Sequence, residues 1–293
     1  MTFKSILALV AGSEADQAAL DTALAVARRF DSHIEALHVR GDPADAMPLL
    51  GEGASGAMIE QIITAAQREW AARAERGRRT FDGWVNQHAL TLAERAPSPG
   101  LVSVAWRDEA GSEDEVITAF GRVADLLVIA RPADGGAVDS RVAFESALLG
   151  TGRPVLAAPP VLAAGLVDRM TNGPLLVAWN DSAEAAEAVA AALPLMATAS
   201  AVKVVTVAEG GRVPASVGRL IDYLAWHGIA ASGVSLAEEG KPVGAMLLDQ
   251  AEASNAGFLV MGAYTHSRFR EMVFGGVTQF VITHARVPVL MAH

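Results

Sequence analysis

The sequence predicts an α/β protein built from two tandem doubly wound, Rossmann-like domains, each a five-stranded parallel sheet with helices on both faces. Three observations lead there. Just over half of the 293 residues are hydrophobic while only 5% are aromatic, a balance that suits helices packed on buried parallel strands better than a β-sandwich. Short apolar runs alternate with helix-period patterns along the whole chain. The order of these elements restarts in the second half, and the two halves match residue by residue.

In the first half, Phe3 to Val10 reads as a strand ending at Ala11-Gly12-Ser13. Ser13 or Asp16 caps a helix with apolar positions Ala19, Leu20, Ala23, Leu24 and Ala27. His33 to Val39 is a second strand, and Gly41 to Gly56 a loop or insertion rich in Gly, Pro and Asp. A long helical stripe follows from Ala57 to His88 through Ile62, Ile63, Trp70, Phe81, Trp84 and Val85. Strands at Leu101–Trp106, Asp125–Ala130 and Pro154–Ala158 alternate with helices at Glu113–Gly121 and Ser140–Leu149.

The second half gives strands at Leu175–Trp179, Val202–Val207, Ile229–Leu236, Gly257–Met261 and Val287–Met291. Its helices fall at Ser182–Thr198, Val213–His227 and Pro242–Ser254. ILALVAGSEAD (Ile6 to Asp16) lies over LLVAWNDSAEA (Leu175 to Ala185) without a gap. DLLVIA from Asp125 lies over GFLVMG from Gly257, and RPVLAA from Arg153 over VPVLMA from Val287. The domains are therefore set at 1–160 and 174–293, with a linker at 161–173. Right-handed crossovers place a ligand cleft at the carboxyl ends of each half's first and fourth strands.

A net charge of −10 argues against a nucleic-acid or anionic-membrane binder. The arginines at 68, 73, 76, 78 and 79 read as a solvated helix face paired with Glu69 and Glu75. The absence of cysteine removes disulfides, thiolate metal sites and cysteine nucleophiles, and fits a cytoplasmic location. The amino-terminal apolar run stops at Gly12 and reads as a strand, not a signal peptide. The stretch from Ala188 to Val202 is too short to span a bilayer. Histidines lack metal-ligand spacing, so no metal site is expected, and no nucleophile, base and acid stand in a recognisable order, so no catalytic residues are named.

The closing stretch, Phe258 to His293, carries most of the functional information. An apolar strand reaches Gly262, a polar loop follows, and Gly275-Gly276 opens a helix-like segment, the way α/β proteins gather backbone N–H groups around a phosphate. With the repeat, this resembles the universal stress protein family, as a tandem two-domain member. Nucleotide-binding members of that family carry a glycine, two residues, a second glycine, nine residues, then glycine with Ser or Thr. Here the frame keeps Gly262 and Gly275, puts Thr265 at the second glycine and Gly276 at the hydroxyl position, and continues into Val277-Thr278. The family's Asp beside the adenine corresponds to Asn180, whose amide still offers a donor and an acceptor. In the first half the matching positions are Ala11 and Ala130, with Asp134 and Asp139 where phosphate would sit, so that half is expected to have lost its site.

The resemblance implies an adenine nucleotide, ATP with Mg2+ accompanying it, in the second domain of a stress-linked regulatory or sensing protein. Asn180 and Val207 would flank the base, Met261, Gly262 and Thr265 would run beneath the phosphates, and Gly275, Gly276, Val277 and Thr278 would present helix-start N–H groups. His266 and Arg268 are loop residues that either face solvent or meet the anion. Asn180 equally fits a helix cap, and the glycines equally fit turn chemistry. The alternative is a nucleotide-free scaffold acting through dimerisation of tandem chains and a protein partner. For either, the resemblance implies that the fifth strands pair, joining Pro154–Ala158 to Val287–Met291 within one chain.

Overall fold

A computed structural model describes residues 2–41, 56–94, 100–131, 138–208, 212–237, 240–263 and 276–293. The expected insertion from Gly41 to Gly56 lies almost wholly outside them, as do Thr265, His266, Arg268, Gly275 and Asp134; for Asp139 only the backbone is described. Eleven described strands form one sheet in the order β3-β4-β2-β1-β5-β6-β11-β10-β7-β8-β9. In the first half these are β1 (Ser5–Leu9), β2 (His33–Arg40), β3 (Thr91–Leu92), β4 (Ser103–Ala110), β5 (Leu126–Ala130) and β6 (Val155–Ala158). In the second they are β7 (Leu175–Ala178), β8 (Val202–Ala208), β9 (Ala231–Ala237), β10 (Phe258–Gly262) and β11 (Val289–Ala292).

Each half has the predicted doubly wound order. β1 pairs in parallel with β2 on one side and β5 on the other, and β7 pairs likewise with β8 and β10. The topological switch points therefore fall between β1 and β5 and between β7 and β10, where an open α/β sheet leaves a crevice beyond its carboxyl edge. Central strands such as Leu126–Val128 and Leu259–Val260 are fully buried, as uninterrupted apolar strands covered on both faces must be.

The two parallel sheets join antiparallel at β6 and β11. Leu156 faces Leu290, its own counterpart in the repeat, while Val155 faces Met291 and Ala157 faces Val289. A pseudo-twofold axis thus runs between the two leucines, and the fifth-strand pairing expected from the sequence is present inside the single chain.

Nine described α-helices accompany the strands: α1 (Asp16–Phe30), α2 (Gly56–His88), α3 (Glu113–Gly121), α4 (Val138–Glu145), α5 (Leu166–Asn172), α6 (Ala183–Met196), α7 (Ala215–Trp226), α8 (Val243–Ala253) and α9 (Gly276–His284). A π-helical turn, Ser146–Gly150, prolongs α4. Two elements were not expected. The short strand β3 extends the sheet by Thr91 and Leu92, too few residues to leave a pattern. Helix α5 lies within the stretch read as linker, and its buried Leu166 and Met170 join the common core.

The start of α1 depends on a buried acid. Asp16 is 1% exposed, and its carboxylate accepts hydrogen bonds from the backbone N–H groups of Ala11, Gly12 and Ser13 and from the Ser13 hydroxyl. Neither cap the sequence offered is realised, since the N-cap is Ala15 without a side-chain hydrogen bond; Asp16, the first residue of α1, instead holds the loop that precedes the helix, and Ser13 assists it. Burial pushes its carboxyl above the ordinary aspartate range, against the pull of these donors. Asp16→Ala removes the acceptor common to all of them and is expected to cost about 2 kcal/mol in urea denaturation.

Candidate functional cleft in the second half

A cavity of about 530 Å³ opens at the carboxyl edge of the second half, within the range usual for small-molecule sites. Ala178, Trp179, Asn180 and Asp181 follow β7 into its wall, and Val205, Thr206 and Val207 close the β8 side. Met261 and Gly262 end β10 beneath it, and Val277 and Thr278 contribute the first turn of α9. Pro214 and Ser216 at the start of α7, with Val243 and Leu247 of α8, complete the lining. Of the sequence-predicted residues, Asn180, Val207, Met261, Gly262, Val277 and Thr278 thus meet around one space at the second switch point. Gly276 precedes Val277 at the head of α9. Thr265, His266, Arg268 and Gly275 lie outside the described residues.

The loop after β7 has a defined shape. Asp181 takes φ 61°, and the equivalent residue of the first half, Gly12, takes φ 73°. Aspartate is among the few residues that tolerate this region. Ser182, not Asn180, caps α6: its Oγ accepts from Ala185 N at 3.1 Å. Asn180 Oδ1 accepts from Ser182 N at 3.3 Å, a local turn contact that leaves the amide at the cavity edge. Asp181 is the sole carboxylate among the described lining residues, and it pairs with Arg219 of α7 at 3.3 Å.

Gly262 is constrained differently from what the motif suggests. Its φ is not positive. A Cβ there would stand 2.5 Å from Ala185 N and 2.6 Å from Glu184 C, so the glycine is required by the backbone of α6 as that helix starts against the end of β10. Gly276 is the opposite case. Its φ is also not positive, and among the described residues no atom lies within 4 Å of a Cβ built on it. Serine at position 276 therefore meets no steric obstacle, and Gly276→Ser is expected to leave the melting temperature unchanged within about 0.5 kcal/mol of stability.

In the first half, the β1 side of the switch point is covered by the chain itself. Helix α2 lies directly on the loop after β1: a Cβ on Gly12 would come within 2.3 Å of Arg73 O, and Arg76 Nε donates to Gly12 O at 3.0 Å. Gly77 lets the helix pass close to Val10 and Trp106. Phe81 packs on Trp106, which stacks on buried His38 at the end of β2. The arginines of this helix also make the ion pairs of a solvated face, with Arg73 and Arg76 on Glu69, Arg79 on Glu75 and Arg78 on Asp82.

A family model of the universal stress protein family matches residues 2–150 and 171–293, one segment in each half of the sheet. The chain belongs to the universal stress protein family. Among solved structures, a universal stress protein from Archaeoglobus fulgidus superposes with a TM-score of 0.63 at 16% identity, over 98% of this chain and 97% of the other. A putative universal stress protein from Pseudomonas aeruginosa gives a TM-score of 0.56 at 14% identity, over 99% and 93%. At such identities these likenesses concern the fold alone: two universal-stress units in one chain. None of the curated proteins shows significant similarity to it.

This universal stress protein has two features of the cleft that sequence reasoning missed. Trp179 stands where the repeat carries Val10, and the ungapped alignment already exposes that contrast. Thr206, 7% exposed at the end of β8, adds a hydroxyl to the wall, with no signal beyond its strand position. No described helix is long and apolar enough to cross a membrane. Among the described residues no group of His, Asp and Glu is arranged to hold a metal ion.

Proposed function

We propose that this universal stress protein binds an adenine nucleotide, ATP, in the second-half cleft and acts as a cytoplasmic regulatory or sensing protein, not a dedicated catalyst. The carrying observation is the cavity at the β7–β10 switch point, floored by Met261 and Gly262 and bordered by the first turn of α9. The first turn of an α-helix leaves N–H groups without intrahelical acceptors, and its dipole favours an anion there. The apolar side chains of Val205, Val207, Val243 and Leu247 suit a flat heterocycle. Asp181, already paired with Arg219, is poorly placed as a general base, which supports binding over turnover.

Isothermal titration of the purified protein with Mg·ATP is expected to give a stoichiometry near one per chain; absence of binding at millimolar ATP would sink the reading. Gly276→Ser adds a hydroxyl donor at the head of α9 and is expected to tighten ATP binding by about three- to tenfold. The second reading, a nucleotide-free scaffold that dimerises or meets a protein partner, is favoured by one observation: Trp226, at the end of α7 beside the edge strand β9, is 91% exposed. Surface tryptophan of this kind is enriched at interfaces.

A further inference from the structure

Trp179 is the first residue beyond β7, and its backbone N–H donates to Val205 O at 2.8 Å, which fixes the main chain against β8. The residue lines the cavity. Yet the indole Nε1 is closed off from solvent and has no hydrogen-bond partner among the described residues. An indole N–H can only donate, and a buried donor without an acceptor is costly, so such groups are rare and call for an explanation. Packing gives none. The equivalent position in the first half is Val10, 2% exposed, a plain core residue in the half whose β1 loop α2 covers. The tryptophan belongs to the half that has the cavity.

We propose that the indole N–H of Trp179 is the donor through which this cleft recognises its ligand. The backbone stays fixed while the ring turns about its side-chain torsions, and Nε1–H then donates to an acceptor on the nucleoside part, a ring nitrogen of the base or an oxygen of the sugar. This rests on the nucleotide reading given above. Phenylalanine keeps an aromatic ring at this position and removes the donor together with the pyrrole ring that carries it; melting the variant without ligand separates the loss of packing from the loss of recognition.

The test is to titrate ATP, adenosine and adenine into the wild-type protein and Trp179→Phe, and to melt both without ligand. The variant is expected to melt no lower than the wild type, because it loses an unsatisfied donor, and to bind ATP about tenfold more weakly. A loss that persists with adenine assigns the acceptor to the base; a loss seen with adenosine but not adenine assigns it to the sugar. Equal ATP affinity in the two proteins overturns the inference alone, whereas a wild type that binds none of the three overturns the nucleotide reading and this inference with it. If Trp179→Phe does not fold, emission is read instead in Trp226→Phe, which lacks the most exposed indole. Saturating ATP is expected to shift that emission, and an unchanged spectrum overturns the inference.

Discussion

Replacing Arg29 by alanine is expected to lower the free energy of unfolding by about 3 kcal/mol, measured by urea denaturation. Arg29 sits in the last turn of α1 and reaches into the second half. Its Nη1 donates to Met170 O at 2.7 Å, and its Nη2 to Leu195 O and to the hydroxyl of Thr198. Those carbonyls end α5 and α6, where helices leave acceptors unpaired and a cation interacts favourably with the dipole. The alanine variant leaves Met170 O without its described donor, while Leu195 O keeps the N–H and hydroxyl of Thr198. Burial also lowers the Arg29 pKa, but a guanidinium starts from so high a value that it stays charged at any pH compatible with folding. Lysine is expected to recover less than half of the loss, because one ammonium cannot span acceptors on two helices. Loss of cooperativity with no change in midpoint would contradict this account.

Gly262→Val is expected to cost about 3 kcal/mol and to abolish ATP binding together. Its side chain would meet backbone atoms of Glu184 and Ala185, which no rotamer change can clear. Relief requires α6 to draw back from β10, and that movement displaces the floor and the β7 side of the cleft in one step. Circular dichroism melting and calorimetric titration report the two effects. A variant as stable as the wild type would show that α6 yields freely and that the glycine is not held by packing.

How much of this was legible in the sequence depends on the range of the interaction. The strands were readable because parallel strands buried on both faces must be apolar throughout, and Leu126–Ala130 and Phe258–Gly262 announce themselves in that way. The ungapped match of Ile6–Asp16 to Leu175–Ala185 gave the duplication, and with it the switch points and the cleft. Asn180, Val207, Met261, Val277 and Thr278 were named from that frame and do converge. Gly262 lines the cavity as the frame placed it, and it has in addition a constraint that the motif does not announce, the backbone of α6. Such a contact joins segments far apart in the chain and leaves no local periodicity.

The same holds for the first half. Its departures from the motif were visible in Ala11, at the Asp position, and Ala130, at the first glycine, but not that α2 would settle on Gly12, since a long amphipathic stripe does not say which neighbour it will cover. Nor do single arginines state their partners. Arg131 lies at the end of β5, in the loop read as a first-half feature. It donates to the carbonyls of Ile282 and Thr283 at the far end of α9. Arg29 and Arg131 thus secure the carboxyl ends of α6 and α9, the two helices whose opposite ends border the second-half cleft.

In a symmetric pair of identical subunits, every substitution is made twice, and a helix that buries one cleft buries both. The Leu156–Leu290 contact places the twofold inside a single polypeptide, where that coupling no longer applies. One copy is then free to lay a 33-residue helix on its β1 loop and to send arginines outward, while the other keeps its opening. The fused chain can therefore divide labour in a way that two copies of one gene product cannot: one half becomes the brace, and the other is braced.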